Sequence, residues 1–141
     1  MINSSTSTKE INNGDVRLLI NFDVNFNDTG IASGVRKFTV IATVARPILI
    51  ELDCEIITAF NGTSPVLTAG TTSAANQLLN TPAITEGTPG FYPTVNGGLT
   101  AACGNLRVTA NTEIWVKFTA TTPTTGKAKF YLNLTPLSQG A

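Results

Sequence analysis

Alternation at a period of two runs through most of this chain, and no other pattern limits its fold so tightly. Ile20, Phe22, Val24 and Phe26 alternate with Asn21, Asp23 and Asn25. Successive residues of a strand point to opposite faces, so such a stretch buries one face and leaves the other to water. The pattern recurs over Val35 to Val44, with Phe38, Val40, Ala42 and Val44 on one face, until Arg46-Pro47 breaks it. From Ile48 to Phe60 it runs longest: Ile48, Ile50, Leu52, Cys54 and Ile56 face one way, and Glu51, Asp53 and Glu55 the other. Short runs follow at Val66 to Ala69, Phe91 to Val95 and Leu106 to Thr109, then long ones at Glu113 to Thr119 and Lys127 to Thr135. In the last, Ala128, Phe130, Leu132 and Leu134 alternate with Lys127, Lys129, Tyr131 and Asn133.

The stretches between these runs carry turn chemistry. Asn61-Gly62-Thr63 predicts that residues 48–69 form a hairpin. Thr72-Ser73 before Ala74-Ala75-Asn76-Gln77-Leu78-Leu79 predicts a cap and about two turns of helix, the one short helix expected. Gly and Pro crowd the stretch from Thr81 to Gly104, which reads as a long loop region of the kind that carries contacts. Residues 1–14 have no apolar period and read as an extended N-terminal arm, leaving residues 15–141 as a single domain. Seven or eight strands at this spacing predict an all-β antiparallel β-sandwich of jelly-roll type. An immunoglobulin-like sandwich has the same period, but Trp115 follows both cysteines instead of standing between them. Ile20, Phe22, Val24, Phe38, Val40, Ile50, Leu52, Ile56, Val116, Phe118, Phe130 and Leu132 are the expected core.

Composition bears on function. The chain has no histidine, and so lacks both the commonest proton-transfer side chain at neutral pH and the commonest metal ligand. No Ser-x-x-Lys spacing supplies another activated nucleophile, and no Gly-x-Gly-x-x-Gly run precedes a helix to cradle phosphate. A non-enzymatic protein with no cofactor is the expectation. Nine basic and nine acidic residues cancel, leaving no net field to draw nucleic acid or anionic lipid, so neither is an expected partner. Nothing approaches the ~20 apolar residues of a membrane helix. The start, Met1-Ile2-Asn3-Ser4-Ser5, lacks the basic and apolar parts of a signal peptide, which points to synthesis in a cytoplasm. Charged residues are only 13% of the chain, and weakly charged surfaces suit a subunit whose faces meet neighbours.

Few residues stand out as site candidates. Glu51, Asp53 and Glu55 lie about 7 Å apart along one strand face, a spacing that offers oxygens to Ca²⁺. A flat strand does not wrap an ion, and pairing with Lys127 and Lys129 accounts for these charges more simply. Cys54 falls on an apolar row and reads as a packing residue, and two cysteines do not define a disulfide framework. The aromatic residues Phe91, Tyr92, Trp115 and Tyr131 are candidates for an assembly contact, a sugar-stacking platform or a second small core under the loops of residues 81–104, and Ile2 and Ile11 for assembly contacts on the arm.

Two stretches carry a resemblance: Thr58-Ala59-Phe60-Asn61-Gly62-Thr63-Ser64-Pro65-Val66-Leu67-Thr68-Ala69-Gly70-Thr71 with Ala75-Asn76-Gln77-Leu78-Leu79, and Glu113-Ile114-Trp115-Val116-Lys117-Phe118 followed by Thr124-Thr125-Gly126-Lys127-Ala128-Lys129-Phe130-Tyr131. Over residues 15–135 the chain resembles small virion structural proteins of tailed bacteriophages, some of which are capsid decoration or cement subunits, often trimeric. The resemblance implies a virion protein made in the host cytoplasm, with the major capsid protein or other virion subunits as partners and a homotrimer as its assembly. It transfers no site residue, because the shared patterns are turns and strands. The alternatives are a receptor- or glycan-binding module of a tail fibre or baseplate, and a tail-tube or connector subunit.

Overall fold

The computed structural model describes residues 18–74, 78, 85–92 and 106–137. Eight strands appear: β1 (Leu18–Asn25), β2 (Val35–Val40), β3 (Ile48–Thr58), β4 (Thr63–Gly70), β5 (Gly90–Tyr92), β6 (Leu106–Val108), β7 (Thr112–Thr121) and β8 (Lys127–Pro136). They form two antiparallel sheets, one ordered β1-β8-β3-β5 with β6 also on β3, the other β2-β7-β4. There is no helix among the described residues. Of the expected helical stretch, Thr72 to Ala74 form a bend and turn, and all but Leu78 of the remainder lies outside the described residues. The arm, with Ile2 and Ile11, also lies outside them.

The expected hairpin over residues 48–69 does not form: β3 and β4 belong to different sheets. Both edges of β3 are taken, one by β8 along its length and the other by β6 at Ile48–Ile50 and β5 at Cys54–Ile56, so β4 has no edge to join. Asn61 acts as a clamp between two sheet crossings instead of a hairpin turn. Its Oδ1 accepts from the backbone N–H of Thr124 (2.7 Å) and Thr125 (3.0 Å), and its Nδ2 donates to Thr124 Oγ1 (2.8 Å). Gly62 follows at φ +99°, where a Cβ would lie 2.7 Å from the Thr121 carbonyl oxygen. Asn-Gly is used here for close approach to the β7–β8 connection.

Inner rows from both sheets meet in one core. Val24, Val40, Ile50, Leu52, Ile56, Val116, Phe118, Phe130 and Leu132 are buried as expected. Ile20, Phe22 and Phe38 pack against them but stay partly exposed, because β1 and β2 are edge strands. Phe22 stacks on Phe130 with ring centroids 5.5 Å apart. Val44, expected on the buried face, is 69% exposed. The strand stops at Val40, and Thr43 and Arg46 close a tight turn through reciprocal backbone hydrogen bonds of 3.2 and 3.1 Å.

No described strand pairs with the outer edge of β4, and two of its backbone groups are bonded from other segments. Ala69 C=O accepts from Leu78 N–H at 3.0 Å, and the buried Glu86 carboxylate accepts from Leu67 N–H at 2.9 Å. The Glu86 carbonyl also accepts from Phe60 N–H at 2.9 Å, holding the end of β3 to the same segment. Glu86→Ala leaves the Leu67 donor unpaired and is expected to cost about 1–3 kcal/mol, with Glu86→Gln, which keeps an acceptor, costing less. Gly126 faces the ring of Phe60, and a Cβ added there would sit 2.6 Å from Phe60 Cγ, at a φ of +148°. Gly126→Ala is expected to lower stability by about 1–3 kcal/mol or more through overpacking. Gly87→Ala, whose new Cβ meets only the Phe60 carbonyl oxygen at 3.8 Å, is the near-neutral control. Urea midpoints at constant slope measure both sets.

Candidate functional site

The pleat that buries one row of each strand sends the alternate row outward, and in the β1-β8-β3-β5 sheet that outer row is chemically mixed. Register lays it out in lines across the sheet: Leu19 with Asn133 and Glu51, Asn21 with Tyr131 and Asp53, and Asp23 with Lys129, Glu55 and Phe91. A shallow groove of about 330 Å³ crosses these lines, lined by Leu19, Asp53, Glu55, Phe91, Tyr131 and Asn133. Leu19 is 57% and Phe91 56% exposed, unusual for large apolar side chains.

Hydrogen bonding orders the floor. Tyr131 Oη donates to Glu55 Oε1 at 2.8 Å, and the Tyr131 ring tilts 58° against Phe91 with centroids 6.2 Å apart. The Glu55 carboxylate accepting this proton raises the Tyr131 hydroxyl above its ordinary range, with desolvation and the charges of Glu55 and Asp23 adding to it. Lys129 stands between Asp23 and Glu55 in its line, and its Nζ lies 3.9 Å from Asp23 Oδ1. Lys127 stands opposite Asn25 and Thr58. Such half-exposed pairs add little stability. No group of three or more His, Cys, Asp or Glu side chains converges to hold a metal among the described residues.

Of the four candidate aromatic residues, the fold brings two together. Phe91 and Tyr131 share the groove. Tyr92, the next residue along β5, turns the other way to pack against the core, and its hydroxyl donates to the carbonyls of Thr88 (2.8 Å) and Thr85 (3.3 Å). Trp115 lies on the other sheet, where its Nε1 donates to Glu113 Oε1 at 2.9 Å while Arg36 Nη1 donates to Glu113 Oε2 at 3.0 Å. These two bonds, Trp115 first, hold the Glu113 carboxyl below the usual range. Cys54 is a buried free thiol, and burial, with the charges of Glu86, Glu55 and Asp53 behind it, keeps it protonated far above the ordinary thiol range. Cys103 lies outside the described residues.

Leu19 and Asn133 are groove residues that the expected site omits. Leu19 had a readable signal: an apolar side chain on a row otherwise made of Asn21, Asp23 and Asn25. The Leu18-Leu19-Ile20 run hides it, because three apolar residues in succession do not say which one faces out. No protein-family model matches the chain, and no curated protein is similar to it at a significant level.

The bond from Tyr131 to Glu55 is open to direct measurement. The phenol of Tyr131, identified by comparison with Tyr131→Phe, should ionise above the ordinary tyrosine value of about 10, and Glu55→Gln should lower its midpoint. A hydroxyl kept neutral in the fold stabilises it at pH below the unfolded value, and that contribution is lost as pH rises through the raised folded value. Phenolate absorbance against pH reads both. An unmoved midpoint in Glu55→Gln would refute the bond.

Proposed function

We propose that this chain is a non-enzymatic structural subunit of a phage virion, a capsid decoration or cement protein that stabilises the head shell, built as a jelly-roll sandwich. Strand order is the observation that carries the jelly-roll reading. The first strand pairs with the last, the last with the third, and the third with the pieces β5 and β6, opposite a sheet of second, seventh and fourth strands. Consecutive strands change sheet at every step except β5 to β6, as in a roll of two Greek keys. The fourth position of the smaller sheet, beside β4, is where Leu78 and Glu86 make their bonds.

The virion role draws on the resemblance over residues 15–135, and the surface supports it. Leu19, Ile41, Val44, Ile57 and Phe91 are large apolar residues left exposed on a weakly charged protein. Surfaces of that kind gain by burial against neighbours. The partners proposed are major capsid subunits and further copies of the chain, with a trimer as the closed assembly. A polar arm over residues 1–14 would add contacts on the particle without adding to the domain's own core.

Incubation of purified protein with expanded, undecorated phage heads tests this reading. Saturable binding and a raised shell disruption temperature are expected, since a ligand that binds one state stabilises it. Deleting residues 1–13 should leave the domain's unfolding nearly unchanged and lower its occupancy on heads. A stable monomer with no affinity for any head would overturn the proposal, and a large loss of intrinsic stability on deletion would show the arm to be part of the core.

A further inference from the structure

We infer that the groove on the β1-β8-β3-β5 sheet is a binding site for an uncharged sugar ring, a ligand assignment that stands on the groove whether or not the chain belongs to a virion. Phe91, more than half exposed, stands at the groove wall, and Leu19 extends the apolar surface at the β1 end. Between them the lining polar groups are mostly acceptors. Asp53 and Glu55 carry carboxylates, each with about four lone-pair sites, Asn133 carries an amide, and the one hydroxyl, on Tyr131, already donates to Glu55. A fitting ligand therefore has an apolar face to lie on Phe91, several donors at its rim and no negative charge. A pyranose ring meets these terms: its axial C–H groups form an apolar face, and its equatorial hydroxyls point outward to donate. At about 330 Å³ the groove is at the small end of ligand sites.

Charge separates the sugar from its main competitor, a lysine or arginine of a docking protein. A cation is already built into the acidic row, because Lys129 stands between Asp23 and Glu55 and approaches Asp23. What Glu55 still offers, beyond the lone pair that accepts from Tyr131, is further lone pairs for hydroxyl donors. Phe91 and Tyr131 are the two rings that line the groove, tilted 58° to each other, and two rings do not enclose an ammonium group from several sides; the face open for stacking is that of Phe91. Phosphorylated and carboxylated ligands are opposed by Asp53 and Glu55.

The full chain, labelled with ¹⁵N, would be titrated with neutral sugars: glucose, galactose, mannose, N-acetylglucosamine and disaccharides of each. Arginine methyl ester and a lysine-rich peptide serve as parallel probes. Saturable shifts with at least one sugar, confined to β3, β5, β8 and the start of β1, are expected with a Kd of about 1 mM or tighter. Phe91→Ala should weaken binding at least tenfold, and Asp53→Asn and Glu55→Gln should each weaken it severalfold. Lys117→Ala, on the other sheet, should leave it unchanged. Phe91 is largely exposed, so its removal leaves the core intact, and the two isosteric carboxylate variants test the site independently. Absence of saturable shifts from every sugar at about 10 mM, ten times that Kd, would overturn the assignment. So would shifts from the cationic probes alone, which would assign the groove to a basic protein segment, or sugar binding indifferent to Phe91, Asp53 and Glu55.

Discussion

The ladder between β3 and β8, running from Ile48 opposite Pro136 to Thr58 opposite Lys127, is the pairing on which the rest of the molecule hangs. β1 adds to the far edge of β8, and β5 and β6 add to the far edge of β3. The inner row of this ladder, with Ile50, Leu52, Cys54 and Ile56 against Ala128, Phe130, Leu132 and Leu134, forms much of the core. Its outer row, with Asp53 and Glu55 against Tyr131 and Asn133, is the floor of the groove. Core and candidate site are thus two faces of one pairing. A slip of one residue would turn a strand's carboxylates inward and its aliphatic row outward. Burying unpaired carboxylates is costly enough to forbid that slip, so the charged outer row helps to hold the register that the core requires.

How much of this was legible in the sequence follows from the range of each interaction. Face assignments were readable, because a period of two is a property of the strand itself: the buried row of β8, the outward carboxylates of β3 and the outward placement of Tyr131 all follow from alternation. Partner choice was not. Asn61-Gly62 is a strong local turn signal, yet the connection crosses between sheets because the edges of β3 are filled by strands distant in sequence. Glu86 stands in a Gly- and Pro-rich stretch with no period, and only the unpaired Leu67 N–H of an edge strand explains why its carboxylate is buried there. Phe91 and Tyr92 are equivalent as aromatic residues, and the pleat of a strand only three residues long sends one to the groove and the other inward. Trp115 reads as one of the same set of candidate contact aromatics as Phe91 and Tyr131 until the fold assigns its strand to the opposite sheet.

The two outer faces differ in what they leave open to a partner. On the smaller sheet Trp115 and Arg36 both donate to the Glu113 carboxylate, one to each oxygen, so the indole donor and part of that carboxylate are already engaged. On the larger sheet Phe91 and Leu19 remain exposed, and the Glu55 carboxylate has lone pairs beyond the one that accepts from Tyr131. A subunit attached to a shell through one surface while displaying the groove on another would use these faces for different purposes.

Pairing of the first described strand with the last bears on how the protein is made. β8 is the central partner of both β1 and β3, and it is the last of the described strands in chain order. While a ribosome adds the residues between Asn25 and Lys127, at about 5–20 residues per second, β1 and β3 wait on the order of 10 s with apolar rows uncovered and no central strand to join. Nascent chains halted before β8 would expose aggregation-prone edges, and the larger sheet can be completed only once β8 has been made.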